Sequence, residues 1–180
     1  MNTIQTSILE ERMPIGAWQK PHSPFPFVVE RILVPIDFSE LSKKALHYAI
    51  PLARSGGARL IVLNVVRTGT HRHEPELISS PQFEAGRWRK LDERERQLVD
   101  LCRREIGRDP KSEAIIQVGK PAREIINAAK AHYVDLIIMA THGLKGMSRI
   151  FKSSIAQEVV GGAPCPVLVV REHEHDLIPE

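Results

Sequence analysis

An apolar run, Leu136-Ile137-Ile138-Met139-Ala140, gives way to a polar loop that starts Thr141-His142-Gly143 and closes on Ser153-Ser154. Strand, glycine-containing loop and helix in that order make an anion site. Backbone N–H groups in the first turn of a helix are unpaired donors facing a partial positive charge. Ser154 with Gln157 three residues on is also a capping-box pattern, so the two serines explain themselves as a helix start without any ligand. The natural complement to such a loop is Asp37, at the exit of a second apolar run, Arg31-Ile-Leu-Val-Pro-Ile. A carboxylate there could accept hydrogen bonds from ribose hydroxyls, hold a metal beside a phosphate, or cap the helix that follows.

Other candidates carry less. Lys145, Arg149 and Lys152 lie within reach of a phosphate in sequence, but a solvated role suits Arg149 and Lys152 equally well. His142 fits a loop-orienting backbone hydrogen bond better than a general base. His71-Arg72-His73-Glu74 and His173-Glu174-His175-Asp176 are spaced like loose metal ligands, yet neither has a supporting second cluster. No Ser–His–Asp or Cys–His set can be assigned, and no GKS or GKT phosphate loop occurs. The chain therefore shows no dedicated catalytic machinery and at most slow hydrolysis of a bound nucleotide.

Composition narrows the class. With 180 residues, 42% of them apolar, the chain is long enough for one well-buried core. A formal charge of +3 with no basic stripe interleaved with aromatics gives no nucleic-acid surface. The charges crowd into Arg87 to Arg108 with both signs mixed, as on the solvated face of a helix. Two cysteines, Cys102 and Cys165, make no disulfide framework. No stretch approaches the roughly 20 apolar residues of a membrane span, and the N-terminus has no secretory pattern. A cytoplasmic setting with no membrane contact is the expectation.

The elements that must position these residues follow from periodicity. Residues 1–29, with Pro21, Pro24 and Pro26, read as an extension lying on or off the domain, Trp18 and Phe25 being docking points. Residues 30–172 form the domain, and 173–180 a tail. Arg31 to Ile36 is the first strand. Ser39 caps a helix to about Arg54, with Ala45, Leu46, Ala49 and Leu52 inward. Ser55-Gly56-Gly57 stops it, and Ala58 to Val66 is a second strand apolar enough for burial on both faces. A long loop from Arg67 to Pro81 precedes a charged helix to Ile106, with Trp88, Leu91, Leu98, Leu101 and Cys102 inward. Glu113 to Val118 is the third strand, and Gly119-Lys120-Pro121 turns into a helix with Ile125, Ile126 and Ala129 inward. Val134 to Ala140, a helix from Ser154 to Gly161-Gly162, and Pro166 to Arg171 complete the pattern. Alternation of nearly continuous apolar strands with helices demands an α/β fold, an open Rossmann-like parallel sheet with helices on both faces. Ligands bind such sheets at the carboxyl ends of the strands, where the strand order reverses.

Five blocks in order resemble the universal stress proteins: Ile32 to Glu40, Gly119 to Ile125, Asp135 to Gly143, Ser154 to Val160, and Ala163 to Val170. The resemblance covers about Arg31 to Arg171. It implies a five-stranded sheet in the order 3-2-1-4-5 and a homodimer paired through residues 166–171. It also implies ATP, with Mg, held through a G-x2-G-x9-G-[ST] pattern, with an unidentified protein partner sensing the bound state. Laid on this chain, the pattern falls on Ala140, Gly143, Ser153 and Ser154, with His142 and Ile155 alongside. Pro35, Ile36 and Asp37 would line the nucleotide at the first strand end, with Asp37 on ribose or metal, and Asn64 and Val65 would meet the adenine. Gly143 and Ser154 match, whereas Ala140 and Ser153 replace glycines. A serine where glycine is needed for positive φ costs roughly 1 kcal/mol, and about 1.4 kcal/mol is a tenfold loss of affinity. The resemblance includes members without nucleotide, so two readings stand: a stress-response module that binds an adenine nucleotide, and a nucleotide-free dimeric interaction module with a degenerate loop.

Overall fold

The computed structural model describes residues 28–67, 81–109, 111–141 and 155–172, with the backbone alone for residues 81–85 and 87. The elements are β1 (Arg31–Pro35), α1 (Glu40–Gly56), β2 (Arg59–Arg67), α2 (Pro81–Glu105), β3 (Ser112–Gly119), α3 (Pro121–Ala131), β4 (Leu136–Thr141), α4 (Ile155–Gly162) and β5 (Val167–Arg171). The strands form one parallel sheet in the order β3-β2-β1-β4-β5, the expected arrangement. The order reverses between β1 and β4, both of which are interior strands.

Alternation along each strand sends side chains to two separate cores. Ile32, Val34, Leu60, Val62, Ile138 and Val170 pack with Ala45, Leu46 and Ala49 of α1 and with Leu98 and Leu101 of α2. Leu33, Ile61, Leu63, Ile137 and Met139 face the other way, onto Ile125 and Ala129 of α3 and Ala156 and Val159 of α4. Each fully buried Leu or Ile contributes about 1.5–3 kcal/mol. This two-sided burial is what makes β1, β2 and β4 apolar throughout.

Helix boundaries have identifiable causes. Ser39 is the N-cap of α1, its side chain accepting from the Ser42 N–H, and Gly57 ends the helix at φ 69, a left-handed conformation natural to glycine. Pro121 opens α3 at its first turn, where its missing N–H leaves no orphan donor.

Two inward assignments are corrected. Trp88 is 63% exposed, whereas Leu98 and Leu101 are 1% exposed. Among the described residues of α2 the fully buried ones, Leu98 and Leu101, lie in its last third, and Trp88 precedes the stretch that the core covers. Leu52 is 43% exposed. The buried set of α1 runs through Ile50 and Ala53, which rolls Leu52 to the margin of that face.

At the amino edge of the sheet Asp135 ties β4 to β1. Its Oδ2 accepts from the Glu30 and Arg31 N–H groups, each at 2.9 Å, and its own N–H donates to the Arg31 carbonyl at 3.0 Å. The Arg31 guanidinium adds a hydrogen bond to the Tyr133 carbonyl.

Candidate functional site at the carboxyl edge

The opposite edge is built differently. The β1–β2 ladder runs to Pro35↔Leu63 and the β4–β5 ladder to Thr141↔Arg171. Between β1 and β4 the ladder ends at Leu33↔Ile137. Pro35 has no N–H to carry that ladder further, and the carboxyl ends of these two strands are the switch point at which doubly wound sheets bind ligands.

Pro35, Ile36 and Asp37 form one lip. Pro35 has no N–H to give, so β1 ends there. Ile36 still donates to the Leu63 carbonyl at 2.8 Å and is itself buried. Asp37 is exposed, and its Oδ1 accepts from both the N–H (3.0 Å) and the hydroxyl (2.5 Å) of Ser39. Ser42 closes the network, its Oγ donating to the Ser39 carbonyl at 2.9 Å and accepting from the Asp37 N–H at 3.3 Å. Both Asp37 hydrogen bonds fall on one carboxylate oxygen, so capping and ligand contact are compatible. Burial alone would raise the Asp37 pKa, but the Ser39 hydrogen bonds outweigh it, and the carboxyl sits below its ordinary value. Asp37 is thus an anion at neutral pH.

Phe38, between Asp37 and Ser39, has φ 69. The left-handed region is uncommon for a bulky residue and costs on the order of 1–2 kcal/mol. Its ring packs against the α1–α2 core, and the Arg94 guanidinium of α2 lies 5.2 Å from the ring centroid.

Asn64, on β2 one residue past its last pair with β1, is 5% exposed. Its Nδ2 donates to the Ile36 carbonyl at 2.7 Å, which stitches β2 to the first lip. Its Oδ1 is buried with no hydrogen-bond partner among the described residues. A lone buried acceptor costs about 1–3 kcal/mol and is rare in native interiors. Val65 faces the α3–α4 core and pairs in register with Gln117, whose Oε1 is a second buried acceptor without a partner among the described residues.

Ala140 lies on the far lip, half-buried against the α1–α2 core, and Ile155 opens α4 against the other. His142, Gly143, Ser153 and Ser154 lie outside the described residues, as do Lys145, Arg149, Lys152 and both histidine pairs. So do residues 1–27, which hold Trp18 and Phe25, and residues 173–180. Sequence reasoning missed the Phe38 conformation, the Asn64–Ile36 bond and the Asp135 tie; only the Asp-Phe-Ser-Glu string hinted at the first.

The remaining chemistry is quiet. Burial pushes the Cys102 thiol up to about 11, and burial followed by the nearby Asp135 charge raises Cys165, so neither is a thiolate at neutral pH. No group of three or more His, Cys, Asp or Glu among the described residues could hold a metal. No helix among them is long and apolar enough to cross a membrane. A shallow depression on α2, between Asp92, Arg96 and Arg103, is that helix's own charged surface.

A five-stranded parallel sheet whose order reverses between β1 and β4, with helices on both faces, defines a doubly wound, Rossmann-like α/β protein. The sequence model of the universal stress protein family matches residues 29–171, and the chain belongs to that family. It is 35% identical over 142 residues to the universal stress protein in the QAH/OAS sulfhydrylase 3' region of Thermus aquaticus, covering 78% of this chain and 97% of that one. Among solved structures, protein MJ0577 of Methanocaldococcus jannaschii aligns at TM-score 0.65 and 30% identity over 82% of this chain and 99% of its own. Two universal stress proteins at 19% identity share the fold. One was solved in complex with cAMP (TM-score 0.58, 80% of this chain and 98% of that one). The other, from Archaeoglobus fulgidus, was solved with dAMP (TM-score 0.53, 79% and 98%).

Proposed function

We propose that this universal stress protein binds ATP or a related adenine nucleotide in the β1–β4 crevice and acts in stress response as a homodimeric regulatory module. The observation that carries the reading is the reversal of strand order between β1 and β4, with the Asp37 carboxylate at the carboxyl end of β1. The unpaired Asn64 Oδ1 supports it, because a buried acceptor at the base of a crevice suits an amine donor such as adenine carries. Structures of relatives in complex with cAMP and dAMP point the same way.

In this reading Asp37 contacts ribose or a nucleotide-borne Mg ion, Pro35 and Ile36 form the wall, and Asn64 and Val65 meet the base. Gly143, Ser153 and Ser154 take the phosphates, flanked by Ala140, His142 and Ile155. Bound Mg would neutralise phosphate charge. Asp37 is the carboxylate at this edge, and among the described residues no group of three or more His, Cys, Asp or Glu joins it. Dimerisation falls to β5, which among the described residues is an edge strand paired with β4 and on which Leu168 is 39% exposed. The second reading, a nucleotide-free dimeric interaction module, draws on Asp37 serving Ser39 as a capping partner.

Purified protein should carry adenine nucleotide or gain thermal stability with Mg-ATP. At a hundredfold excess over the dissociation constant the gain is about 2.7 kcal/mol. Absence of both nucleotide and shift at millimolar Mg-ATP would overturn the first reading in favour of the second.

A further inference from the structure

Phe38 poses a physical problem that its own loop does not solve. A phenylalanine at φ 69 is disfavoured by its Cβ, yet its two neighbours need this turn to bring the Asp37 carboxylate onto the Ser39 N–H and hydroxyl. Such a conformation persists only when the surroundings over-determine it. Two contacts do so. From below, the ring packs against the α1–α2 core. From above, the Arg94 guanidinium covers it at 5.2 Å. Arg94 is itself held in place. Its Nη1 donates to Gln97 Oε1 at 3.3 Å, and Leu98 and Leu101, about one and two turns further on, anchor α2 in the same core.

We propose that Arg94 is a positioning residue for the site: laid over Phe38, it holds the left-handed turn that presents Asp37 at the crevice, and so ties α2 to ligand binding. The ligand part rests on the nucleotide reading above; the positioning part does not. Arginine suits the task because a planar guanidinium lies flat on an aromatic face, whereas a lysine ammonium is a strongly hydrated point charge. An exposed cation–π contact is worth about a two- to fivefold change in an equilibrium, enough to tune a loop without governing the fold. Helix α2 therefore becomes a lever. A partner that gripped it would alter how firmly Asp37 is presented.

The test compares wild type, Arg94→Ala, Arg94→Lys, Phe38→Gly and the Phe38→Gly/Arg94→Ala double variant. Two readouts need no nucleotide: amide exchange at Ser39, and the Asp37 carboxyl titration followed by NMR. Arg94→Ala should speed Ser39 exchange about two- to fivefold and move the Asp37 midpoint up toward its ordinary value, with Arg94→Lys in between. Phe38→Gly adopts the turn without a clamp, so adding Arg94→Ala to it should change neither readout. The third readout, the Mg-ATP dissociation constant, should rise by the same factor in Arg94→Ala. Unchanged exchange and titration in Arg94→Ala would overturn the proposal, as would equal changes in the Phe38→Gly background. Wild type that binds no Mg-ATP but shows both ligand-free effects contradicts the nucleotide reading alone.

Discussion

The two edges of this sheet are made of the same apolar strands and finished in opposite ways. At the amino edge Asp135 accepts two backbone N–H groups and returns one to Arg31, so β1 and β4 are stitched where they begin. At the carboxyl edge the β1–β4 register ends at Leu33↔Ile137, Phe38 is held at positive φ, and Asn64 buries an acceptor with no donor among the described residues. The Phe38 backbone and the Asn64 acceptor each carry a local cost, and both lie at the switch point, whereas the amino edge keeps every local rule, the contrast expected if the carboxyl edge is the functional one.

Removing the stitch should give the largest effect. Asp135→Ala deletes two charge-assisted hydrogen bonds and should cost about 2–3 kcal/mol in urea unfolding. Mg-ATP affinity should hold, because the tie is at the far edge. A loss of affinity larger than the loss of stability would erase the distinction between the edges.

Asn64→Leu tests the other edge and should behave in reverse. It leaves the Ile36 carbonyl without its donor but removes the buried orphan acceptor, two terms of about 1–3 kcal/mol and opposite sign. Stability should therefore change by less than about 1 kcal/mol, while Mg-ATP binding weakens about tenfold, the effect of losing one buried hydrogen bond and its pocket shape. Equal stability and equal affinity would show that the Asn64 acceptor has no ligand to serve.

The smallest effect concerns acid. The Asp37 carboxyl titrates below its ordinary value in the folded protein, so folding favours the deprotonated form. Its contribution is fully present above the unfolded aspartate value of about 3.9 and disappears as pH falls through the lower folded value. Asp37→Asn keeps an acceptor for Ser39 without the charge. It should lose less stability between pH 4 and the acid limit than wild type does, read from urea midpoints at a series of pH values. Parallel curves for the two proteins would mean that the Ser39 hydrogen bonds do not favour the ionised form.

Much of this was readable from the chain. The unbroken apolar runs at Ile32–Val34 and Leu60–Leu63 can only be strands buried on both faces, and Ser39 and Gly57 mark the ends of α1 because capping is a local matter. Trp88 was misread because helical periodicity gives a residue's direction and says nothing of how much of the helix the core covers. Leu52 failed on a few tens of degrees of helix roll. At the site, the location of Asp37 followed from topology. The Phe38 backbone, the Asn64 amide and the Asp135 tie did not, because each depends on a partner distant in sequence, 28 residues away for Asn64 and 104 or more for Asp135. Phe38 meets the same obstacle in Arg94.

Amide chemical-shift mapping of labelled protein during titration with Mg-ATP tests the contrast most directly. The account predicts saturable shifts at Ile36, Asp37, Asn64, Val65 and Ala140, with Glu30, Arg31 and Asp135 unmoved. Silence at the carboxyl edge up to millimolar Mg-ATP, or shifts centred on the amino edge, would contradict it.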